Sequence, residues 1–293
     1  MRVLVTGANG HIGQAVVTEL LKAGHHVLGL VRSDHGADAV RALGAEVLQG
    51  DVNDLELVVK AAQTVDGVIH LAYDNAAVVN GRTQEAADAD VAVVRALGNA
   101  YAGTGKTLIG IGMARTESAE NDRMLALNPR IAVAYEVMSF VDKGVRAILV
   151  GIPPVTHSDR DVSGFVPIMV RIAQARGVSG YPGDGQNHWP AVHTLDLAKL
   201  YRLALEQAPA GARLIAAAEP GVPTRGIAER IGAGLALPVE SIPSDQVADH
   251  FAPFVFVTLD LILPNDQTRE LLGWQPSHPT LLEDLATDHY FTL

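Results

Sequence analysis

Thr6-Gly7-Ala8-Asn9-Gly10-His11-Ile12-Gly13 lies directly after the apolar run Arg2 to Thr6 and directly before a helical pattern from Gln14 to Ala23. Three glycines at three-residue spacing between a strand and a helix each have a mechanical task. The first permits a tight turn, the second lets backbone approach a pyrophosphate, and the third lets helix and strand pack closely. The helix start adds free N–H groups and the positive end of the helix dipole. Strand, glycine turn and helix together are the context this motif requires. The segment therefore predicts a dinucleotide held by Gly7, Asn9, Gly10, His11, Ile12 and Gly13.

Outward from this turn, short β-branched runs alternate with longer helical patterns. Strands are expected at Arg2 to Thr6, His26 to Val31, Glu46 to Gln49, Gly67 to Leu71, Thr107 to Ile111 and Arg146 to Gly151. Helices are expected around Ala37 to Leu43, Asp54 to Ala62, Ala86 to Ala102 and Pro129 to Asp142. Continuous apolar strands separated by helices predict a buried parallel sheet and an α/β, doubly wound Rossmann-type fold. After Pro153 the rhythm breaks, and prolines and glycines become denser, as in Gly180-Tyr181-Pro182-Gly183-Asp184-Gly185. A last strand is expected at Arg213 to Ala217 and a helix at Arg225 to Leu235, while Val192 to Leu205 returns to the main sheet. The expected division is a dinucleotide-binding unit of residues 1–152, joined by 188–210, and a mainly substrate-binding lobe of 153–293.

The residue about twenty positions beyond the glycines selects the coenzyme, a carboxylate there favouring NAD. Here Arg32 and Ser33 follow the strand ending at Val31. A guanidinium suits a 2′-phosphate through paired charge-assisted hydrogen bonds, so NADP(H) is the expected coenzyme. Asp34 is the rival; turned inward it would favour NAD(H).

Composition sets outer limits. Of 293 residues 48% are hydrophobic and 19% charged, which suits a folded α/β enzyme and excludes a disordered chain. A formal charge of -11 argues against a nucleic-acid surface. Without cysteine the chain forms no disulfide, thiolate nucleophile or cysteine-ligated metal site. No targeting segment or membrane span is read, and a soluble, cytoplasmic protein is expected. Eleven histidines show no metal-ligand spacing, and no metal is predicted.

With these residues identified, the chain resembles the short-chain dehydrogenase/reductase superfamily, on its extended or atypical branch with the NAD-dependent epimerase/dehydratase proteins. The resemblance spans almost the whole length. Gly50-Asp51-Val52 resembles the segment after the third strand, which implies that Asp51 and Val52 meet the adenine. His70-Leu71-Ala72-Tyr73 resembles the fourth-strand end, implying that Leu71, Ala72 and Tyr73 lie along the coenzyme. Ile152-Pro153-Pro154-Val155 looks like the loop near the nicotinamide. Gly183 to Asn187, Val192 to Ala198 and Arg269 to Pro276 resemble later family segments in the same order. A homodimer is an expectation from the resemblance alone.

One part of the family pattern is missing. Relatives use a Tyr-x-x-x-Lys pair on the helix after the fifth strand and a hydroxyl at that strand's end. Here the strand ends Gly110-Ile111-Gly112-Met113, and no lysine follows a tyrosine by four residues in the next helix. In one register Tyr135 takes the tyrosine position and Ser139 replaces the lysine. In the other, favoured by the alignment of Glu136, the pair becomes Asn128 and Ala132. Tyr135 then lies about 10 Å further along the helix, at 1.5 Å per residue, as a buried core tyrosine. Other proton donors are Tyr73, beside the fourth strand, and His157, whose ordinary pKa suits acid–base work near neutrality. His193 reads as structural. Met113, Ile152, Val155, Phe165, Phe251, Phe254 and Phe256 either line an apolar substrate site or form plain core; Met113, Val155 and Phe165 are the substrate candidates.

The resulting expectation is an NADP(H)-dependent oxidoreductase acting on a small, largely apolar carbonyl- or imine-type compound. The missing pair keeps two alternatives open, a non-catalytic NADP-sensing regulator and an epimerase, isomerase or lyase that retains the dinucleotide.

Overall fold

The computed structural model describes residues 1–112 and 128–292. Seven parallel strands form the central sheet: β1 (Arg2–Thr6), β2 (His26–Val31), β3 (Glu46–Gln49), β4 (Gly67–His70), β5 (Thr107–Gly112), β6 (Arg146–Gly151) and a last strand, Arg213–Ile215. Their spatial order from that last strand is Arg213–Ile215, β6, β5, β4, β1, β2, β3. The chain winds outward from β1 in one direction, then returns to β4 and winds in the other. This is the Rossmann-type doubly wound α/β fold, and it opens a crevice at the strand C-termini where β1 and β4 diverge.

Each face of the sheet is sealed by apolar side chains. On one, Val3, Val5 and Ile69 pack with Val16 and Leu20 of helix α1 (His11–Lys22) and with Leu197, Tyr201 and Leu205 of the helix Thr194–Gln207. On the other, Leu4, Val68 and Leu108 meet Val58 of the helix Leu55–Gln63, Leu97 of the helix Thr83–Tyr101, and Val137 of the helix Ile131–Met138. Alternate residues of β1 thus enter opposite cores, as the period of two demands. The helix Thr194–Gln207 lies on this face of the sheet, and His188–His193 before it is a strand of a separate small sheet.

A third core gathers Val155, Trp189, Ile227, Phe251, Phe254, Leu281 and Tyr290. Around it run short strands that the local pattern does not announce. Val155–His157, His188–His193 and Glu219–Pro223 form one small sheet, and Ser179–Pro182 pairs in parallel with Val239–Ile242. Gly180, Tyr181 and Pro182 read as turn residues, and cross-strand pairing overrides that preference. The expected strand Arg213 to Ala217 is shorter, and Ala216 continues only with its amide bonded to the Gly151 carbonyl at 2.9 Å. Among the described residues no helix is long and apolar enough to cross a membrane.

Candidate active site

Gly7 adopts φ +66, and a Cβ there would lie 2.9 Å from the Ala72 amide nitrogen, so strand β4's exit presses directly on the turn. Gly10 precedes α1 without any side-chain cap. Its amide bonds Gly7 O at 3.0 Å and its carbonyl accepts from Gln14. Among the described residues, the amides of His11, Ile12 and Gly13 meet no acceptor. Such unpaired donors at a helix start are suited to an anion.

The turn borders a cavity of about 470 Å³ along the crevice between β1 and β4. It brings together Gly7, Asn9, Gly10, Arg32, Val52, Leu71, Ala72 and Tyr73 among the residues singled out from sequence. The lining excludes His11, Ile12, Gly13, Asp51, Ile152 and Pro153. Arg32 is exposed, and among the described residues its guanidinium has no hydrogen-bond or ion-pair partner. Ser33 instead caps the helix Asp34–Ala42 by accepting from Gly36 N at 3.1 Å. Asp34, the rival ribose ligand, accepts from Gln49 Nε2 at 2.9 Å and stays outside the cavity. Asp51 accepts from the Asn53 amide at 2.8 Å, closing a local turn.

His11 points away from the cavity. Its Nε2 lies 2.7 Å from Thr194 Oγ1 and 2.8 Å from Ser158 Oγ. Thr194 donates its own hydroxyl proton to His157 O at 3.1 Å, so it accepts from a neutral, Nε2-protonated His11. The ring thereby ties the glycine turn to the second half of the chain. Burial drives its pKa down to about 4. Burial likewise takes His193 down to about 4, assisted by neighbouring His157 and His278. His193 Nδ1 accepts from Leu195 N at 3.2 Å, capping the helix Thr194–Gln207, a role that protonation would abolish. Both rings are neutral when folded, whereas unfolded they would take a proton near pH 6.5. Their contribution to stability is therefore complete above about pH 6.5 and drains as pH falls toward 4. The urea midpoint is expected to drop between pH 7 and pH 4.5, with a shallower slope in His193→Gln; identical slopes would refute this account.

His157, a candidate proton donor, is fully buried outside the cavity lining. Its Nδ1 lies 2.8 Å from Asp284 Oδ2, and its Nε2 4.0 Å from Glu219 Oε1. Burial pushes the Asp284 carboxyl up, but the hydrogen bond from His157 together with the charges of His157, His289 and His193 holds the pKa below the ordinary value. His188, which reads as isolated, pairs with Asp260 at 3.0 Å.

Tyr135 corrects the expectation of a buried core tyrosine. It is 65% exposed, because its helix buries Val133, Ala134 and Val137 and turns Tyr135 outward. Neither register brings Tyr135 or Ser139 into the cavity, and Asn128 Oδ1 accepts from Arg130 N at 3.0 Å. Among the substrate candidates, Val155 is 1% exposed within the third core. Phe165 joins a cluster with Trp189, Phe254 and Phe256, and Met113 falls outside the described residues. Phe251 and Phe254 are core. A second cavity of about 520 Å³ lies against Phe254, Val247 and Val257.

Three polar groups at the cavity wall or directly behind it have roles the motif reading does not give: His70 and Asp90, which line it, and Thr6 behind them. Thr6 Oγ1 accepts from the amides of Leu71 and Ala72, each at 3.1 Å, and lies 2.7 Å from His70 Nδ1. With its acceptor side engaged twice, Thr6 donates to Nδ1, and Nε2–H then donates to Asp90 Oδ1 at 2.7 Å. His70 and Asp90 line the cavity, and all three side chains are buried. Asp90, twenty positions beyond His70 within the helix Thr83–Tyr101, carries no local signal of this pairing.

Comparison with known proteins agrees with this geometry. Residues 1–97 match the model of the NmrA-like family. The uncharacterized protein C2A9.02 of Schizosaccharomyces pombe is 38% identical over 299 residues, covering 99% of this chain and all of that protein. Isoflavone reductase homolog P3 of Arabidopsis thaliana is 41% identical over 76 residues, 23% of this chain and 24% of its own. The fold matches a dTDP-glucose 4,6-dehydratase (DesIV double mutant) from Streptomyces venezuelae, solved with NAD and DAU bound. Its TM-score is 0.77 at 16% identity, with coverage of 100% of this chain and 97% of that one. With a full-length relative at this identity, the chain belongs to one family with the uncharacterized protein C2A9.02; its first 97 residues match the NmrA-like model, and its fold, with the reversed strand order and the glycine turn at the switch point, is that of the dehydratase structure.

Proposed function

We propose that this chain is an NADP(H)-dependent oxidoreductase that transfers hydride to or from a small, largely apolar carbonyl- or imine-type compound. The observation that carries the reading is the switch-point cavity, bordered by helix-start amides and an Arg32 guanidinium that have no partner among the described residues. The residues present fit a dinucleotide. The amides of His11, Ile12 and Gly13, with Gly7, Asn9 and Gly10, would receive the pyrophosphate. Arg32 would take the 2′-phosphate, which Asp34, held by Gln49, does not oppose from within the cavity. Val52 and Asp51 would meet the adenine, and Leu71, Ala72 and Tyr73 would run along the ribose side toward Ile152 and Pro153.

When bound, the coenzyme supplies the hydride; the protein contributes position, exclusion of water and a polarising donor. Tyr73 is the donor this reading selects, since it alone among Tyr73, Tyr135 and His157 faces the cavity. The compound itself would enter beside the lobe of residues 153–293. Similarity to a plant isoflavone reductase homolog supports reduction, although it covers only part of the chain.

NADPH consumption across a panel of ketones, aldehydes and imines tests the proposal. Steady turnover with one class is expected. Tight coenzyme binding without any turnover would sink it and leave the sensing regulator. Arg32→Ala is expected to weaken NADP(H) binding roughly tenfold to a hundredfold, the loss of one or two charge-assisted hydrogen bonds, while NAD(H) affinity changes little. Equal losses for both coenzymes, measured by fluorescence titration, would remove the phosphate role from Arg32.

A further inference from the structure

The helix that should carry a lysine has none, yet a cation at its start lies against Tyr73, which lines the cavity. Arg130 immediately precedes the helix Ile131–Met138, and its guanidinium carbon sits 3.8 Å from the centroid of the Tyr73 ring. Its Nε is buried, has no hydrogen-bond partner among the described residues, and lies 3.8 Å from Asp90 Oδ2. The other oxygen of Asp90 is engaged by His70, and His70 is engaged by Thr6. One buried chain therefore runs from the end of β1, through the end of β4 and the helix Thr83–Tyr101, to Arg130 stacked on Tyr73. Four separate elements converge to hold one guanidinium against one phenol.

We propose that Arg130 is the cation of this active site in place of the family's lysine, positioned by Thr6, His70 and Asp90 so that it stabilises negative charge on the Tyr73 oxygen. The inference rests on the reductase reading above. As hydride arrives at the carbonyl carbon, the C=O π pair moves to oxygen, which takes the proton from Tyr73 O–H. The phenolate left behind is countered by Arg130 and recovers a proton from solvent water. A planar guanidinium stacked on an aromatic face keeps its charge at any working pH and favours the ionised ring below it. Three charged groups act on this phenol. Burial raises its pKa, Arg130 lowers it, and Asp90 and Asp74 raise it. Among the described residues Arg130 is thus the counterweight to burial and the two carboxylates.

Arg130→Met removes the charge and retains length; Arg130→Lys restores it. On the coenzyme-free protein, phenolate absorbance with Tyr73→Phe as the subtraction control reads the Tyr73 ionisation directly. In Arg130→Met this ionisation is expected to move up by about one pH unit or more, and in Arg130→Lys to return most of the way. In turnover, Tyr73→Phe is expected to lower kcat about 100-fold, the scale of a lost general acid, and Arg130→Met about tenfold, with coenzyme affinity within threefold of the parent. An unmoved Tyr73 titration in Arg130→Met, or full activity in Tyr73→Phe, overturns the proposal. Should Arg130→Met fail to fold, Arg130→Lys still decides it: its titration must stay within half a unit of the parent, and a larger upward shift counts against a simple charge role. A parent protein that binds coenzyme and reduces nothing defeats the reductase reading and with it the proton step, while the titration separately decides whether Arg130 governs Tyr73.

Discussion

Gly13→Ala is expected to eliminate measurable dinucleotide binding, a loss of at least about 100-fold in affinity, or about 2.7 kcal/mol. A Cβ at this position overlaps the carbonyl oxygen of Gly7 and approaches the Gly7 carbonyl carbon at 2.9 Å and the Ala8 carbonyl carbon at 3.0 Å. All three are backbone atoms, so no side chain can turn aside to admit it. Gly7 is itself pinned, its own Cβ site lying against the backbone of Leu71 and Ala72 at the end of β4. The turn must open, and the amides of His11, Ile12 and Gly13 then lose their common direction. Overpacking of this kind typically costs about 1–3 kcal/mol of stability. The sheet and its two cores should survive it. Coenzyme titration together with far-ultraviolet circular dichroism separates the two effects: a folded Gly13→Ala protein that binds like the parent would show that the turn does not grip a pyrophosphate.

Asp196→Ala should produce the largest loss of stability without touching the cavity, about 3–5 kcal/mol. Asp196 is 1% exposed in the first turn of the helix Thr194–Gln207. Its carboxylate accepts from the amides of Ser277 and His278, both at 3.0 Å, and lies 2.9 Å from His278 Nδ1. Its backbone carbonyl accepts from Trp274 Nε1 at 3.0 Å, and Trp274 is fully buried. One side chain thus fastens the segment around residues 274–278 to the helix that covers the sheet, while the dipole at that helix start favours its charge. Alanine would leave two amides without an acceptor. For a chain of this size the melting temperature should fall by roughly 10 °C. Asp196→Asn, which keeps one acceptor oxygen, should lie between. A melt within 2 °C of the parent for the alanine variant would dismiss the carboxylate as a structural fastener.

These expectations draw unequally on sequence and on tertiary structure. The first six strands, the glycine turn and the helices between them follow from local causes: β-branched runs, a period of 3.6, and a turn that only glycine permits. Each is decided within about ten residues, and each stands where the pattern places it, apart from shifts at the ends. Arg32 was legible for the same reason, being fixed by its distance from the glycines. The short strands after Pro153 were not, because Gly180 or Pro190 becomes strand only when a distant partner supplies its hydrogen bonds. Tyr135 shows a finer limit. Apolar neighbours on both sides suggest burial, but the face that a helix turns inward is set by what it packs on.

The chemistry of the cavity divides along the same line. Sequence alone determined that a three-glycine turn lies between the first strand and the first helix and that no Tyr-x-x-x-Lys pair follows the fifth strand, since both are patterns along a single stretch. Only the tertiary structure decided that Thr6, His70, Asp90, Arg130 and Tyr73 meet, because that meeting depends on how the carboxyl ends of two central strands and two helices converge. Contacts between residues this far apart in the chain are set by packing, and no local pattern encodes which buried carboxylate will face which cation.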